Sequence, residues 1–209
     1  MTTTDLQLLD YRRQVNEMYA ALRADRRVLK TRHTAYRKKR EELFRTHPQS
    51  PLDADQQLAF KGLLYFPYDP ALRFCVELDY HVTSNIFNVP LQADGQVRMR
   101  RFAHAHVEVD GQMQTLSLFW LEGYGGGVFL PFRDATGPGG ETYGGGRYLL
   151  DTIKGADLGE EDGKLVLDFN YAYNPSCAYN SRWDCPLAPR ENWLEVPIRA
   201  GEQVYPDSH

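Results

Sequence analysis

Cysteine is scarce in this chain, three in 209 residues at positions 75, 177 and 185, and that scarcity excludes a disulfide-stapled fold. Long apolar runs are missing too. None reaches the roughly 18 residues that a membrane-spanning helix needs. The opening Met-Thr-Thr-Thr-Asp-Leu lacks the basic-then-apolar order of a secretory signal, so the expected address is the cytoplasm, with all three cysteines as thiols. Cys75 is read as a small buried hydrophobe. No Gly-x-Ser-x-Gly elbow and no His-Glu-x-x-His occurs, and no Gly-Lys-Ser/Thr follows a glycine run. Those absences remove the best-defined hydrolase, zinc-protease and nucleotide-cradle signatures and leave the identity of any cofactor open.

Glycine and proline are absent from residues 5 to 45, where apolar side chains recur at helical spacing: Leu8, Tyr11, Val15, Met18, Leu22, then Leu29, His33, Tyr36 and Leu43. This predicts one long helix or a helix pair whose narrow stripe lies against its own body or a second copy, making a homodimer through the helix one expectation. Up to His47 the chain carries 12 Lys/Arg against 6 Asp/Glu, of 24 and 28 in the whole chain, so a basic arm (1–47) precedes an acidic body (48–209). The cluster Arg37-Lys38-Lys39-Arg40 lacks interleaved aromatics or a recognised motif, so it is read as a solvated face and nucleic acid is not an expected partner. His47-Pro48-Gln49-Ser50-Pro51 ends the helical arm, and a short helix is predicted from Asp53 to Phe60.

Beyond Leu63 the period shortens to two. Strands are predicted at 71–80, 84–90, 96–109, 112–121, 127–133, 146–152 and 164–171, with Asp94-Gly95 and Asp110-Gly111 as hairpin turns. Seven strands joined mostly by short turns predict a mainly β fold, an antiparallel barrel or sandwich-like sheet. A helical extension precedes it, and an irregular proline-rich segment follows Tyr173.

The chemistry-bearing residues gather late. The glycines at 123–127 and 144–146 miss every phosphate-loop spacing and are read as turns or bulges, although Arg147 directly after the second run could add bidentate donors to an anion. His104, His106 and Glu108 have metal-ligand spacing, but Val97, Met99, Ala103, Ala105, Val107 and Val109 form the apolar row, which puts the imidazoles on the solvent side and predicts no metal. Asp168 and Asn170 are expected on one strand face. Cys177 and Cys185, eight positions apart, fit neither a CxxC pair nor a zinc knuckle and are read as packing a latch.

Together, Ser50-Pro51-Leu52, Phe60-Lys61-Gly62-Leu63, Tyr65-Phe66-Pro67-x-Asp69-Pro70, Phe132-x-Asp134, Glu141-Thr142-Tyr143-x-Gly145-Gly146-Arg147-Tyr148, Asp168-Phe169-Asn170, Tyr173-Asn174-Pro175, Cys177-Ala178-Tyr179, Cys185-Pro186 and Glu191-Asn192 resemble the DUF1684 family of prokaryotic proteins over about residues 48 to 203. The resemblance implies a mainly β fold and no assigned activity. It singles out more polar side chains than packing requires. The expected ligand set is Tyr143, Arg147, Asp168, Asn170, Tyr173, Asn174 and Tyr179 at one barrel end, suited to a polar or anionic small molecule. A hydrolase would use Asp168 as general base, Arg147 to stabilise the developing anion and Tyr143 as donor. A third expectation is an interaction protein that uses the basic helix.

Overall fold

The computed structural model describes residues 3–91 and 95–206, so the predicted Asp94-Gly95 turn lies partly outside the described residues. The arm is a helix pair, α1 (Thr3–Ala24) and α2 (Leu29–Thr46), followed by α3 (Ala54–Ala59). In α3 the Asp53 carboxylate accepts from the Gln56 amide at 2.9 Å while Gln56 Oε1 accepts from the Asp53 amide at 3.0 Å, a closed capping box.

Among the described residues, eight strands follow in two antiparallel sheets. One has five strands in sequential order, β2 (Ile86–Pro90), β3 (Gln96–Val109), β4 (Gln112–Leu121), β5 (Gly127–Phe132) and β6 (Arg147–Asp151). The other pairs β1 (Arg73–Val76) with β8 (Lys164–Asp168) and β8 with the two-residue β7 (Glu160–Glu161). Of the expected mainly β fold, an antiparallel barrel or a sandwich-like sheet, the barrel is thereby corrected: the fold is mixed α/β with two open antiparallel sheets. The first and last strands, β1 and β8, do pair with each other, but β1 does not pair with β2 and β8 does not pair with β6, so they build a second sheet and the five-stranded sheet keeps two free edges. The β3–β4 turn is as expected: Asp110 and Gly111 both take positive φ, 51° and 74°, the requirement of the favoured two-residue hairpin.

The apolar row expected along β3 does not face one core. The register against β4 slips between Arg101 and Ala103, leaving Phe102 as an extra residue. Met99 therefore packs with Phe119, Phe129 and Tyr148 beneath Val15, Met18, Tyr19, Leu22, Tyr36 and Leu43 of the helix pair. Ala103, Ala105, Val107 and Val109 instead join Leu116, Leu118, Val76, Leu167, Phe169 and the C-terminal Val196 and Ile198. The five-stranded sheet is thus covered over part of each face, by helices around Met99 on one and by the small sheet with the C-terminal segment along residues 103–109 on the other. The helical stripe is covered by the chain's own sheet.

The proline-rich tail is irregular but anchored. Asn192, fully buried, donates to the Ser117 and Pro131 carbonyls and accepts from the Ser117 amide, all within 2.9 Å, as an extra piece of backbone would. Cys75, expected inside, is exposed on β1 beside Arg73 and Glu161. His106 and Glu108 are exposed and His104 half-buried, the side away from the apolar row.

Candidate functional site

The expected site residues divide into two groups. Arg147 is framework: its guanidinium is 1% exposed, pairs with Asp134 at 2.8 Å, and donates to the carbonyls of Ile198, Ala200 and Glu202. Asp134 also accepts from the Ile198 amide at 3.1 Å, so this ion pair fixes the C-terminal segment to the end of β5. Burial lowers the Arg147 pKa, with Asp134 opposing the shift.

Asp168 and Asn170 form another closed set, and they do not share a strand face. β8 stops at Asp168, whose Oδ1 accepts from the Asn170 amide at 3.0 Å and Nδ2 at 2.7 Å and so caps a 3-10 turn over Phe169–Tyr171. Asn170 in turn pairs with the backbone N–H and C=O of Asp69, at 2.8 and 2.7 Å. That contact ties Asp69-Pro70 to Asp168-Phe169-Asn170. Burial raises the Asp168 pKa, while the bonds from Asn170 lower it.

Tyr173, Asn174 and Tyr179 converge on a cavity of about 400 Å3 between the helix pair and the edge of the five-stranded sheet. Tyr11, Arg12, Val15 and Tyr19 of α1 line one side; Tyr148, Lys154, Ala156 and Cys185 line another. Tyr143, Arg147, Asp168 and Asn170 are not among its lining residues. Tyr143 is half-buried, and its hydroxyl lies 3.7 Å from Cys177 Sγ.

The back of the cavity is a buried ionic hub. Arg40 Nε donates to Glu202 Oε1, which also accepts from the Tyr65 hydroxyl at 3.0 Å; Glu202 Oε2 accepts from the Tyr179 hydroxyl and from the Asn174 amide at 2.8 Å. The Arg40 guanidinium also lies 4.9 Å from the centre of the Tyr173 ring. Desolvation opposes its charge, but Glu202 together with Tyr36, Tyr179 and Tyr65 outweighs that and holds Arg40 firmly protonated. Burial pushes Tyr173 and Tyr179 up, so both hydroxyls stay neutral donors. Asn174 Oδ1 is buried with no hydrogen-bond partner among the described residues.

Arg40 and Glu202 escaped the sequence reading, Arg40 because it sits in the basic run taken as a solvated face. Its signal was spacing: between Tyr36 and Leu43 the stripe lacks a member, and Arg40 falls where one belongs. Lys154 and the tyrosines of α1 carried no comparable signal.

Fold and site define a class: an open two-sheet protein capped by a helix pair, with a tyrosine-walled, cation-bearing cavity beneath the cap. The chain belongs to the DUF1684 family, described as a protein of unknown function, whose sequence profile matches residues 58–203. It is similar to an uncharacterised protein of Haloarcula marismortui solved by solution NMR, at 34% identity over 83% of this chain and 92% of that one, with a TM-score of 0.56. No curated protein matches it.

Proposed function

We propose that this protein binds a small polar or anionic molecule in the cavity beneath the helix pair. The observation that carries the reading is the cavity itself, about 400 Å3, within the range of small-molecule sites. Its chemistry is uneven. Arg40 is matched by Glu202 and Lys154 by Asp151, at 3.0 Å. Arg12, exposed on α1, has no ion-pair partner among the described residues and is the cation left for a ligand's acidic group. The rings of Tyr11, Tyr19, Tyr148 and Tyr173 offer stacking surface, and Asn174 Oδ1 could accept from a ligand N–H or O–H.

The hydrolase built on Asp168, Arg147 and Tyr143 has less support. Each of the three is held by different partners, and none lines the cavity.

Native mass spectrometry of the purified protein, with its denatured mass as reference, tests the binding reading. A reproducible excess mass is expected, and Arg12→Glu should weaken its retention about tenfold, the loss of one charge-assisted contact. A clean apo mass, with no thermal stabilisation by a panel of small carboxylates and phosphates, overturns it.

A further inference from the structure

Cys177 and Cys185 are brought into contact by the fold. The Cys177 amide donates to Cys185 Sγ at 3.4 Å. Their positions differ in access. Cys185 lines the cavity together with Lys154, whereas Cys177 does not and faces the Tyr143 hydroxyl. One sulfur therefore meets whatever enters the cavity, and the other stands behind it.

We propose that Cys185 and Cys177 form a redox-active dithiol whose substrate is the disulfide of a low-molecular-weight thiol, with Cys185 attacking and Cys177 resolving. The Cys185 thiolate attacks one sulfur of the small disulfide. A new S–S bond forms, and the electron pair of the old one leaves with the first small thiolate. Cys177 then gives up its proton and attacks the Cys185 sulfur of the mixed disulfide, expelling the second small thiolate. The dithiol loses two electrons and two protons in all, and the small disulfide gains both to become two thiols.

Two features favour this order of attack, and a third favours a small organic substrate. The hydrogen bond from the Cys177 thiol lowers the Cys185 pKa against the opposing effect of burial, and the Cys177 amide and the Lys154 charge lower it further. Cys177, giving its proton to that bond and partly buried, is raised and stays a thiol until the second step. The cavity, about 400 Å3, is sized for a small organic molecule, far larger than hydrogen peroxide requires. The dithiol chemistry shares the cavity of the ligand-binding proposal, but it is read from sulfur masses rather than from ligand retention, so the two fail separately.

The test is to expose the full-length reduced protein to glutathione disulfide at neutral pH. Samples are quenched in acid at intervals, free thiols are alkylated under denaturing conditions, and peptides are mapped by mass. Wild type should lose two hydrogens and show a Cys177–Cys185 linkage, with Cys185 consumed about tenfold or more faster than the exposed Cys75. Cys177→Ser should stop at one glutathione adduct on Cys185, and Cys185→Ser should give no linkage. Should either variant fail to fold, the wild-type map alone decides. An unlinked pair with Cys75 reacting first, or a stable mixed disulfide on Cys185 that Cys177 never resolves, overturns the proposal.

Discussion

Arg147 shows how a polar residue can carry a family signature without touching a ligand. Its side chain joins Asp134 to three carbonyls of residues 198 to 202, and no apolar residue of similar size makes those bonds. Arg147→Met leaves the Asp134 carboxylate buried without its cation and should cost about 3–5 kcal/mol in denaturant unfolding. Replacing Asp134 by Leu in the same chain should return part of that loss, because the stranded charge is then removed as well. If Arg147→Met left stability unchanged, the framework role would be wrong.

His33 supplies the pH dependence at the same scale. Its Nε2–H donates to the Asn170 carbonyl at 2.9 Å, and burial pulls its pKa from 6.5 to about 4, with Arg37 adding to the fall and the hydrogen bond resisting it. The unfolded chain takes up this proton near 6.5, whereas the folded one resists until about 4. Stability is therefore full above pH 6.5, declines as pH falls toward 4 and then levels off, a loss of about 3 kcal/mol from this residue. Titrating unfolding free energy in wild type and His33→Gln checks it: the variant's acid limb should be flatter over that window, and parallel limbs would exclude His33 as the cause.

At the level of elements, the bulge at Phe102 decides which core each half of β3 serves. Period-two patterning places Met99 and Ala103 on one face by parity, and a sequence read without the partner strand cannot show the extra residue. Deleting Phe102 forces a choice: either Met99 leaves the helix-facing core or Ala103 through Val109 leave the other. The deletion variant should lose its cooperative thermal transition, as followed by near-ultraviolet circular dichroism. The cap of α3 is a smaller effect. Asp53→Ala opens the capping box and should cost about 1 kcal/mol, measured as a midpoint shift in urea.

Over the whole molecule, the helix pair acts as a structural layer as well as a basic arm. It supplies Val15, Met18, Tyr19, Leu22, Tyr36 and Leu43 to a core shared with the sheet, and Arg40 to the buried Glu202. Removing residues 1–47 would expose that sheet face and strand the Glu202 carboxylate in the interior. The truncated chain should not unfold cooperatively. A sharp, native-like transition from 48–209 alone would show instead that the body folds without its cap. None of the described helices is long and apolar enough to cross a membrane.

The sequence by itself determined the helical arm, the short capped helix, the β3–β4 hairpin and the placement of most strands. These follow from local rules of spacing, capping and turn chemistry that neighbouring residues settle among themselves. It also marked Tyr173, Asn174 and Tyr179, which do line the cavity. The tertiary structure alone decided that the sheets stay open, that Arg147 and Asp168 face inward to their own partners, and that Arg40 meets Glu202 across 162 positions. It also decided that Cys177 and Cys185 touch. The physical reason is that burial and ion pairing belong to surfaces that meet only after the chain folds, and a charged or thiol side chain looks the same in sequence whether it faces water or a partner.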